Sequence, residues 1–207
     1  MNSQTKLEKV LRQLQELEKL SNEIPLAAED WLDEWQILIA IILSARTRDE
    51  ITIPVAKELF KKYRYTEQLA NAKISEVREI IRPVNFYKNK SRYIIKCAKQ
   101  LIEKYSGNVP HDERSLLQLS GVGRKTMNVF LAEIGKNAIG VDTHVSYISQ
   151  KLDWTKNSNP KKIEQDLKQL FPEKYWKQIN SCLVRFGKTY TSRKQKNKIL
   201  ECIKKMK

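Results

Sequence analysis

Glycines are rare in this chain, and most of them fall in one short segment. Of the six glycines in 207 residues, four lie between residues 121 and 140, and two of these, Gly121 and Gly123, flank a single valine. A glycine inside a helix costs about 1 kcal/mol relative to alanine, so a helical chain keeps glycines where the backbone turns sharply. We expect both residues to allow positive φ angles in a tight turn between two helices.

Hydrophobic residues recur at helical spacing along the chain. Leucine and valine repeat at intervals of three and four in residues 7–17, and residues 35–43 are apolar on every side, as in a buried central helix. Residues 87–105 predict a long helix, and Asp112 is a candidate N-cap for a helix that runs to Leu119. The sequence contains no Asn-Gly hairpin or alternating strand pattern. It therefore predicts an all-α protein.

The chain is strongly basic. Its 39 Lys and Arg residues against 24 Asp and Glu give a net charge of +15, which attracts polyanions such as nucleic acids. Residues 182–207 contain nine Lys or Arg and a single acid. This segment predicts contacts to phosphates, with Arg193, Lys194 and Lys196 as candidates. A solvated surface helix explains the same pattern, and that interpretation stays open.

Hydropathy and cysteine usage indicate the compartment. The longest apolar run, residues 37–43, is too short to cross a bilayer, and the first residues lack the apolar stretch of a signal peptide. The three cysteines, Cys97, Cys182 and Cys202, are odd in number and irregularly spaced, which argues against a disulfide framework. We therefore expect an intracellular protein, in the cytoplasm or nucleoid, with no membrane partner.

The glycine turn lies in the segment Leu-Ser-Gly-Val-Gly-Arg-Lys-Thr, residues 119–126. Main-chain N–H groups at the start of the following helix, together with the helix dipole, favour a bound phosphate. The candidate DNA-binding residues of this segment are Gly121, Val122, Gly123, Arg124 and Thr126. A Gly-x-Gly turn by itself is also found in ordinary helix–helix connections, so the motif alone does not decide the function.

Five segments taken together resemble the helix-hairpin-helix DNA glycosylases, and within them endonuclease III. They are residues 43–49 (LSARTRD), 85–90 (NFYKNK), 107–110 (GNVP), 119–126 (LSGVGRKT) and 141–144 (VDTH). The resemblance spans residues 25 to 190. It implies a two-lobed all-α architecture with a DNA-binding cleft between the lobes. A helical barrel domain, residues 26–137, would hold the hairpin, and residues 1–25 with 138–207 would form the second helical domain.

The resemblance also implies roles for individual residues. Lys125 corresponds to the family's nucleophilic lysine, which attacks the deoxyribose, and Asp142 corresponds to its catalytic aspartate. Phe86 stands where the family places an apolar wedge that fills the gap left by an extruded base. Arg46 stands where the family usually has a glutamine that probes the orphaned partner base, so the preference for that base stays open.

The chain departs from the family at its C-terminus. Most endonuclease III relatives carry an iron–sulfur cluster on four closely spaced C-terminal cysteines, whereas residues 190–196 here contain none. We therefore predict no iron–sulfur cluster and no other cofactor. The family suggests a monovalent cation at the hairpin carbonyls of Leu119 and Val122. The expected partner is double-stranded DNA with a damaged base or an abasic site, and the chemistry requires only a monomer.

The resulting hypothesis is a bifunctional base-excision-repair glycosylase with abasic-site lyase activity, acting on oxidised pyrimidines. Within this class, the alternatives are a thymine mismatch glycosylase and an 8-oxoguanine glycosylase. A non-catalytic helix-hairpin-helix DNA-binding module is the alternative of another class, and such a module needs neither Lys125 nor Asp142. The sequence leaves open which lesion and which opposite base the protein prefers.

Overall fold

The computed structural model describes residues 3–206, and every regular element within that range is helical. The elements are α1 (Ser3–Lys19), α2 (Glu34–Ser44), α3 (Asp49–Lys62), α4 (Thr66–Ala70), α5 (Ile74–Ile80), α6 (Tyr87–Tyr105), α7 (Glu113–Leu116), α8 (Arg124–Glu133), α9 (Thr143–Lys151), α10 (Pro160–Leu170), a 3₁₀ helix (Glu173–Tyr175), α11 (Trp176–Thr189) and α12 (Arg193–Lys204). The prediction of an all-α protein is confirmed.

The chain divides into two compact helical units. One unit is Pro25–Ile134, and the other combines the described residues up to Ile24 with those from Gly135 onward. The sequence-based boundaries were 26–137 for the first unit and 1–25 with 138–207 for the second. Each unit has a core of its own.

The unit Pro25–Ile134 is built around α2. Its residues from Leu38 to Leu43 are at most 2% exposed, and α3, α6 and α8 pack against it. A helix enclosed on all sides needs apolar residues all round, which explains the unbroken apolar run in the sequence. Because α6 and α8 share α2 as a neighbour, a single core supports the loops that precede both helices.

The other unit gathers α1 and the helices from α9 to α12. Leu14 and Leu17 of α1, Ile148 of α9 and Phe186 of α11 belong to one buried cluster, which also includes Leu200 of α12. The C-terminal helix is therefore part of its unit's core, and the basic segment is a packed helix with one exposed side.

Two short elements differ from the sequence-based expectation. Asp112 caps α7 as predicted, accepting a hydrogen bond from the Ser115 amide at 2.9 Å, but α7 ends at Leu116. The chain continues to Leu119 through tighter turns, in which the Leu119 amide donates to the Leu116 carbonyl. The five-residue helix α4 was not predicted, because an element of that length carries too little periodicity to be recognised.

Within residues 3–206, no helix combines the length and the apolar character that crossing a membrane would require.

Candidate catalytic and DNA-binding site

The two glycines of the turn differ in backbone conformation. Gly121 has a φ of +82°, and a Cβ atom there would lie 3.0 Å from the Tyr93 Cβ and 3.2 Å from the Ile42 Cγ2. Gly123 is the N-cap of α8 with φ −100° and ψ 176°, and a Cβ there would meet no atom within 4 Å. The expectation of a positive φ is correct for Gly121 and wrong for Gly123. The lack of a side chain at Gly123 instead leaves open space at the start of α8.

A glutamine of α6 holds the loop that leads into the turn. The Gln100 Oε1 accepts a hydrogen bond from the Ser120 amide at 2.8 Å, and its Nε2 donates to the Gln118 carbonyl at 3.0 Å. The Val122 amide donates to the Leu119 carbonyl at 3.1 Å. The Val122 and Thr126 side chains are buried, so these two candidates can reach a ligand only through the main chain, and the Val122 N–H is already used inside the turn.

Lys125 is the second residue of α8 and is half-buried. The Met127 amide donates to the Gly123 carbonyl at 2.9 Å, so the amides ahead of Met127 have no acceptor inside the helix. The positive end of the helix dipole, the Arg124 guanidinium and the Lys125 amine therefore share one short segment. This segment combines a lysine amine with groups that attract a phosphate.

Asp142 lies in the other unit and is the N-cap of α9. Its Oδ1 accepts a hydrogen bond from the Val145 amide at 2.8 Å, and the residue is half-buried. The second carboxylate oxygen, Oδ2, takes no part in this cap. Close by in sequence, the His144 ring lies so tightly against Gly187 of α11 that a Cβ atom there would collide with it. Asp142 is thus fixed at the end of a firmly packed helix.

The structure brings the proposed wedge and the proposed partner-base probe together. The Arg46 guanidinium carbon lies 5.1 Å from the centre of the Phe86 ring, within the range of a cation–π contact. The Phe86 side chain is 55% exposed, as a group that enters a DNA stack must be. Both residues have left-handed backbones, with φ of 58° at Arg46 and 60° at Phe86.

A buried lysine on α6 connects the loops that carry these two residues. The Lys90 Nζ donates to the carbonyls of Leu43 and Ala45, each at 2.6 Å, and to the Thr47 Oγ1 at 3.0 Å. Burial lowers the pKa of Lys90 to about 8, which still leaves the ammonium form in the majority at neutral pH. All three ammonium hydrogens therefore have an acceptor at the C-terminal end of α2 or on the loop after it.

A second connection runs between the same two loops. The Asn85 Nδ2 donates to the Arg46 carbonyl at 2.7 Å, and the Asn85 amide donates to the Thr47 Oγ1 at 3.2 Å. The Thr47 hydroxyl oxygen thus accepts hydrogen bonds from both Lys90 and Asn85. No role for Lys90, Asn85 or Thr47 was predicted from the sequence.

The three candidate cations of α12 have different surroundings. The Lys196 Nζ donates to the Gly187 carbonyl at 2.7 Å, and burial lowers the pKa of this lysine. The Arg193 guanidinium carbon lies 5.8 Å from the Tyr147 ring centre, whereas Lys194 is exposed. Lys196 is therefore engaged inside its unit, and the side chains presented to solvent are those of Arg193 and Lys194.

The three cysteines have different surroundings. Cys97 and Cys182 are buried, and burial raises the pKa of each thiol to about 12, so neither is a thiolate at neutral pH. Cys202 is free and exposed. Among residues 3–206, no group of three or more His, Cys, Asp and Glu side chains is placed to hold a metal.

One signal in the sequence could have identified Lys90. It continues the apolar stripe of α6 formed by Ile94, Cys97 and Leu101, all of which are buried. A lysine within such a stripe must find hydrogen-bond acceptors inside the protein. Gln100 carried no comparable signal, because a half-exposed glutamine is common on a helix surface.

Comparison with known proteins gives concordant results. Residues 39–173 match the family described as "HhH-GPD superfamily base excision DNA repair protein". The chain is 43% identical over 157 residues to "Endonuclease III" of Thermotoga maritima, covering 75% of this chain and 74% of that protein. It is 33% identical over 190 residues to "Endonuclease III" of Bacillus subtilis, covering 90% and 86%.

A solved structure agrees with these sequence matches. It is described as a trapped endonuclease III–DNA covalent intermediate, an estranged-adenine complex. It superposes with a TM-score of 0.82 at 31% identity, covering 93% of this chain and 89% of that one.

Proposed function

This chain belongs to the HhH-GPD superfamily of base excision DNA repair proteins, and on this basis we propose that it excises oxidised pyrimidines from duplex DNA with Lys125 as nucleophile. It is a DNA glycosylase and abasic-site lyase of the endonuclease III type. The observation that carries the residue assignment is the position of Lys125, half-buried in the first turn of α8 directly after the glycine turn.

The proposed reaction begins at the C1′ atom of the damaged nucleotide. The unprotonated Lys125 nitrogen bonds to C1′, the bond from C1′ to the base breaks, and the base leaves with the electron pair and gains a proton. The nitrogen then loses one proton, the bond from C1′ to the ring oxygen O4′ breaks, and O4′ gains a proton. The ring is then open, and a protonated Schiff base links Lys125 to C1′. Removal of a proton from C2′ then expels the 3′ phosphate by β-elimination. A covalent complex with DNA is described for an endonuclease III that is 31% identical to this chain.

We assign two functions to the Asp142 carboxylate. Its Oδ1 caps α9, and its Oδ2 accepts a proton or stabilises the positive charge that develops on the sugar as the base departs. An aspartate serves the cap and the chemistry together because its two oxygens are independent acceptors. An asparagine would retain only the cap.

Phe86 and Arg46 act on the duplex in this proposal. Extruding a base costs a few kcal/mol, and an aromatic side chain that stacks in the vacated space offsets part of that cost. The exposed Phe86 ring suits this wedge role, and the neighbouring Arg46 guanidinium suits contact with the orphaned partner base. The guanidinium can hydrogen-bond a purine edge or hold a phosphate.

The remaining DNA contacts are electrostatic. The amides at the start of α8 and the Arg124 side chain hold a phosphate near the reacting sugar. The exposed side of α12, with Arg193 and Lys194, adds phosphate contacts on the other unit. We propose that the enzyme acts as a monomer inside the cell, in the cytoplasm or nucleoid.

The proposed enzyme works without an iron–sulfur cluster. The chain has only three cysteines, and the two with a pKa near 12 are protonated thiols inside separate units. A monovalent cation at the hairpin would be held by the Leu119 and Val122 carbonyls. The Leu119 oxygen, which already accepts the Val122 N–H, has a second lone pair for it.

Borohydride trapping tests the proposed function. The purified protein is incubated with a duplex that contains a single thymine glycol or an abasic site, and borohydride reduces any Schiff base to a stable adduct. The wild-type protein should form the adduct, and Lys125→Gln should abolish it. Lys99→Gln, which removes the charge of an exposed lysine on α6, is the matched control and should retain it. An adduct that persists in Lys125→Gln assigns the nucleophile to another amine.

A panel of single-lesion duplexes determines the substrate. Thymine glycol, 8-oxoguanine and unmodified thymine are each placed opposite the four bases, and cleavage rates are compared. Thymine is mismatched opposite every base except adenine. The proposal expects the highest rate with the oxidised pyrimidine. A higher rate with 8-oxoguanine or with the mismatch would contradict the substrate assignment and leave the glycosylase class intact.

A further inference from the structure

The two loops that carry Arg46 and Phe86 hold these residues in uncommon backbone conformations. Both have φ near +60°, a region that side chains other than glycine rarely occupy because of steric crowding at Cβ. Such conformations persist only where surrounding contacts determine them fully, and they cluster at functional sites. Local sequence therefore does not account for the placement of these two side chains, and other residues must hold them.

Lys90 donates three of the hydrogen bonds that hold the first loop. Its acceptors, the carbonyls of Leu43 and Ala45 and the hydroxyl of Thr47, surround Arg46 in sequence on both sides. The two carbonyls belong to the C-terminal end of α2, where unpaired carbonyls and the negative end of the helix dipole favour a cation. Three fixed acceptors around one ammonium define the path of the loop from residue 43 to residue 47.

The same lysine is also bonded to the loop that carries Phe86. It lies one helical turn after Phe86, and its own amide donates to the Phe86 carbonyl at 3.0 Å. The side chain is only 5% exposed, so it cannot touch DNA directly. Lys90 thus joins the first turn of α6, whose N-cap is Phe86, to the loop that contains Arg46.

We propose that Lys90 is a positioning residue for base extrusion. Through its bonds to the 43–47 loop, it holds Phe86 and Arg46 as a preformed pair. Hydrogen bonds from Asn85 to the Thr47 hydroxyl and to the Arg46 carbonyl also join the two loops directly. The inference rests on the proposed function, since it assumes that Phe86 and Arg46 act on the duplex. Because the pair is preformed, no binding energy is lost in ordering the two loops when the base leaves the stack.

The test compares two substrates in Lys90→Met, a variant with a similar chain length and no ammonium. One duplex contains thymine glycol, which must be extruded, and the other contains a preformed abasic site, which has no base to extrude. The rate ratio is the single-turnover rate with thymine glycol divided by that with the abasic site. It should fall by about 10- to 100-fold, the loss expected when a positioning group is displaced by about 1 Å. A 2-aminopurine next to the lesion should show correspondingly slower unstacking.

Lys88→Met is the matched control. Lys88 is an exposed lysine of the same helix, so the variant loses the same charge and gains the same side chain, and its rate ratio should equal that of the wild type. Partial unfolding lowers both rates together and leaves the ratio unchanged. A ratio in Lys90→Met equal to that of Lys88→Met overturns the proposal.

Thr47→Val gives a second measurement that does not depend on removing a buried lysine. The substitution keeps the shape and the charge, and it removes the oxygen that accepts from both Lys90 and Asn85. The rate ratio should fall several-fold, and an unchanged ratio with normal folding contradicts the proposal. If wild-type protein forms no borohydride adduct, the proposed function itself fails. An adduct in wild type with an unchanged ratio in both variants overturns only the positioning role.

Discussion

Alanine substitutions at the two glycines of the turn should have opposite consequences. Gly121 occupies a backbone conformation that alanine adopts poorly, and its Cα faces Tyr93 and Ile42 at close range. Gly123 has an extended backbone and open space beside it. We expect Gly121→Ala to destabilise the fold, and Gly123→Ala to leave the fold intact while weakening DNA binding.

The magnitude for Gly121→Ala follows from two contributions. Placing a Cβ at φ +82° costs about 1–2 kcal/mol. The new methyl group also lies 3.0 Å from the Tyr93 Cβ, an atom close to the backbone of α6, and overpacking of this kind costs about 1–3 kcal/mol. The sum is about 2–5 kcal/mol, which in a chain of this size lowers the melting temperature by about 4 °C or more.

For Gly123→Ala the structural contributions nearly cancel. Alanine restricts the unfolded chain, which favours folding by about 0.4–1 kcal/mol, but alanine is a poorer N-cap than glycine. The melting temperature should therefore change little. The new methyl group occupies the space where a phosphate would approach the α8 amides, and losing one charge-assisted hydrogen bond costs about 1.5–3 kcal/mol. Affinity for an abasic-site duplex should fall by about 10- to 100-fold.

Thermal unfolding followed by circular dichroism, together with a fluorescence anisotropy titration of labelled duplex, measures both effects. Equal losses of stability in the two variants would contradict this explanation, because of the two glycines only Gly121 has a positive φ and close neighbours. A Gly123→Ala variant with unchanged DNA affinity would show that no phosphate approaches the start of α8.

Three further predictions concern other parts of the molecule. Asp142→Asn should slow base release by about 10²-fold with unchanged stability, because an amide oxygen still caps α9, whereas Asp142→Ala should also lose about 1 kcal/mol of stability; single-turnover rates and urea unfolding separate the two roles. Burial lowers the pKa of Lys90 from 10.5 to about 8, so the unfolded chain binds more protons between these values and stability rises with pH. From pH 8 to pH 9.5, urea unfolding should show the difference in unfolding free energy between wild type and Lys90→Met increasing by about 1.5 kcal/mol; a constant difference contradicts the shifted pKa. Replacing the exposed Lys194 and Lys198 of α12 with glutamine should flatten the plot of log affinity against log salt by about 0.9 for each phosphate that the protein no longer neutralises. This double substitution leaves Leu200 and Ile203 in the core, which a truncation would remove, and an unchanged slope would mean that these two lysines neutralise no phosphate.

Residues close together in the chain were enough to predict the fold class and the position of the glycine turn. The apolar periodicity of residues 87–105 predicted the bounds of α6, and the apolar run at residues 35–43 identified the buried helix. Asp112 was recognisable as a helix cap. These features could be predicted because helical periodicity, capping and glycine turns depend on residues within a few positions of one another.

The residues that support the site became evident only from the packing of the folded chain. Lys90 and its acceptors are more than forty positions apart in the chain, and nothing local in the sequence specifies which carbonyls a buried ammonium will find. The same holds for His111, whose Nε2 lies 2.8 Å from the carboxylate of Glu34, a residue 77 positions away in the chain. Gly123 likewise could not be distinguished from Gly121 until their neighbours were known. Hydrogen bonds of buried polar groups are set by the packing of distant segments, and only folding brings those segments together.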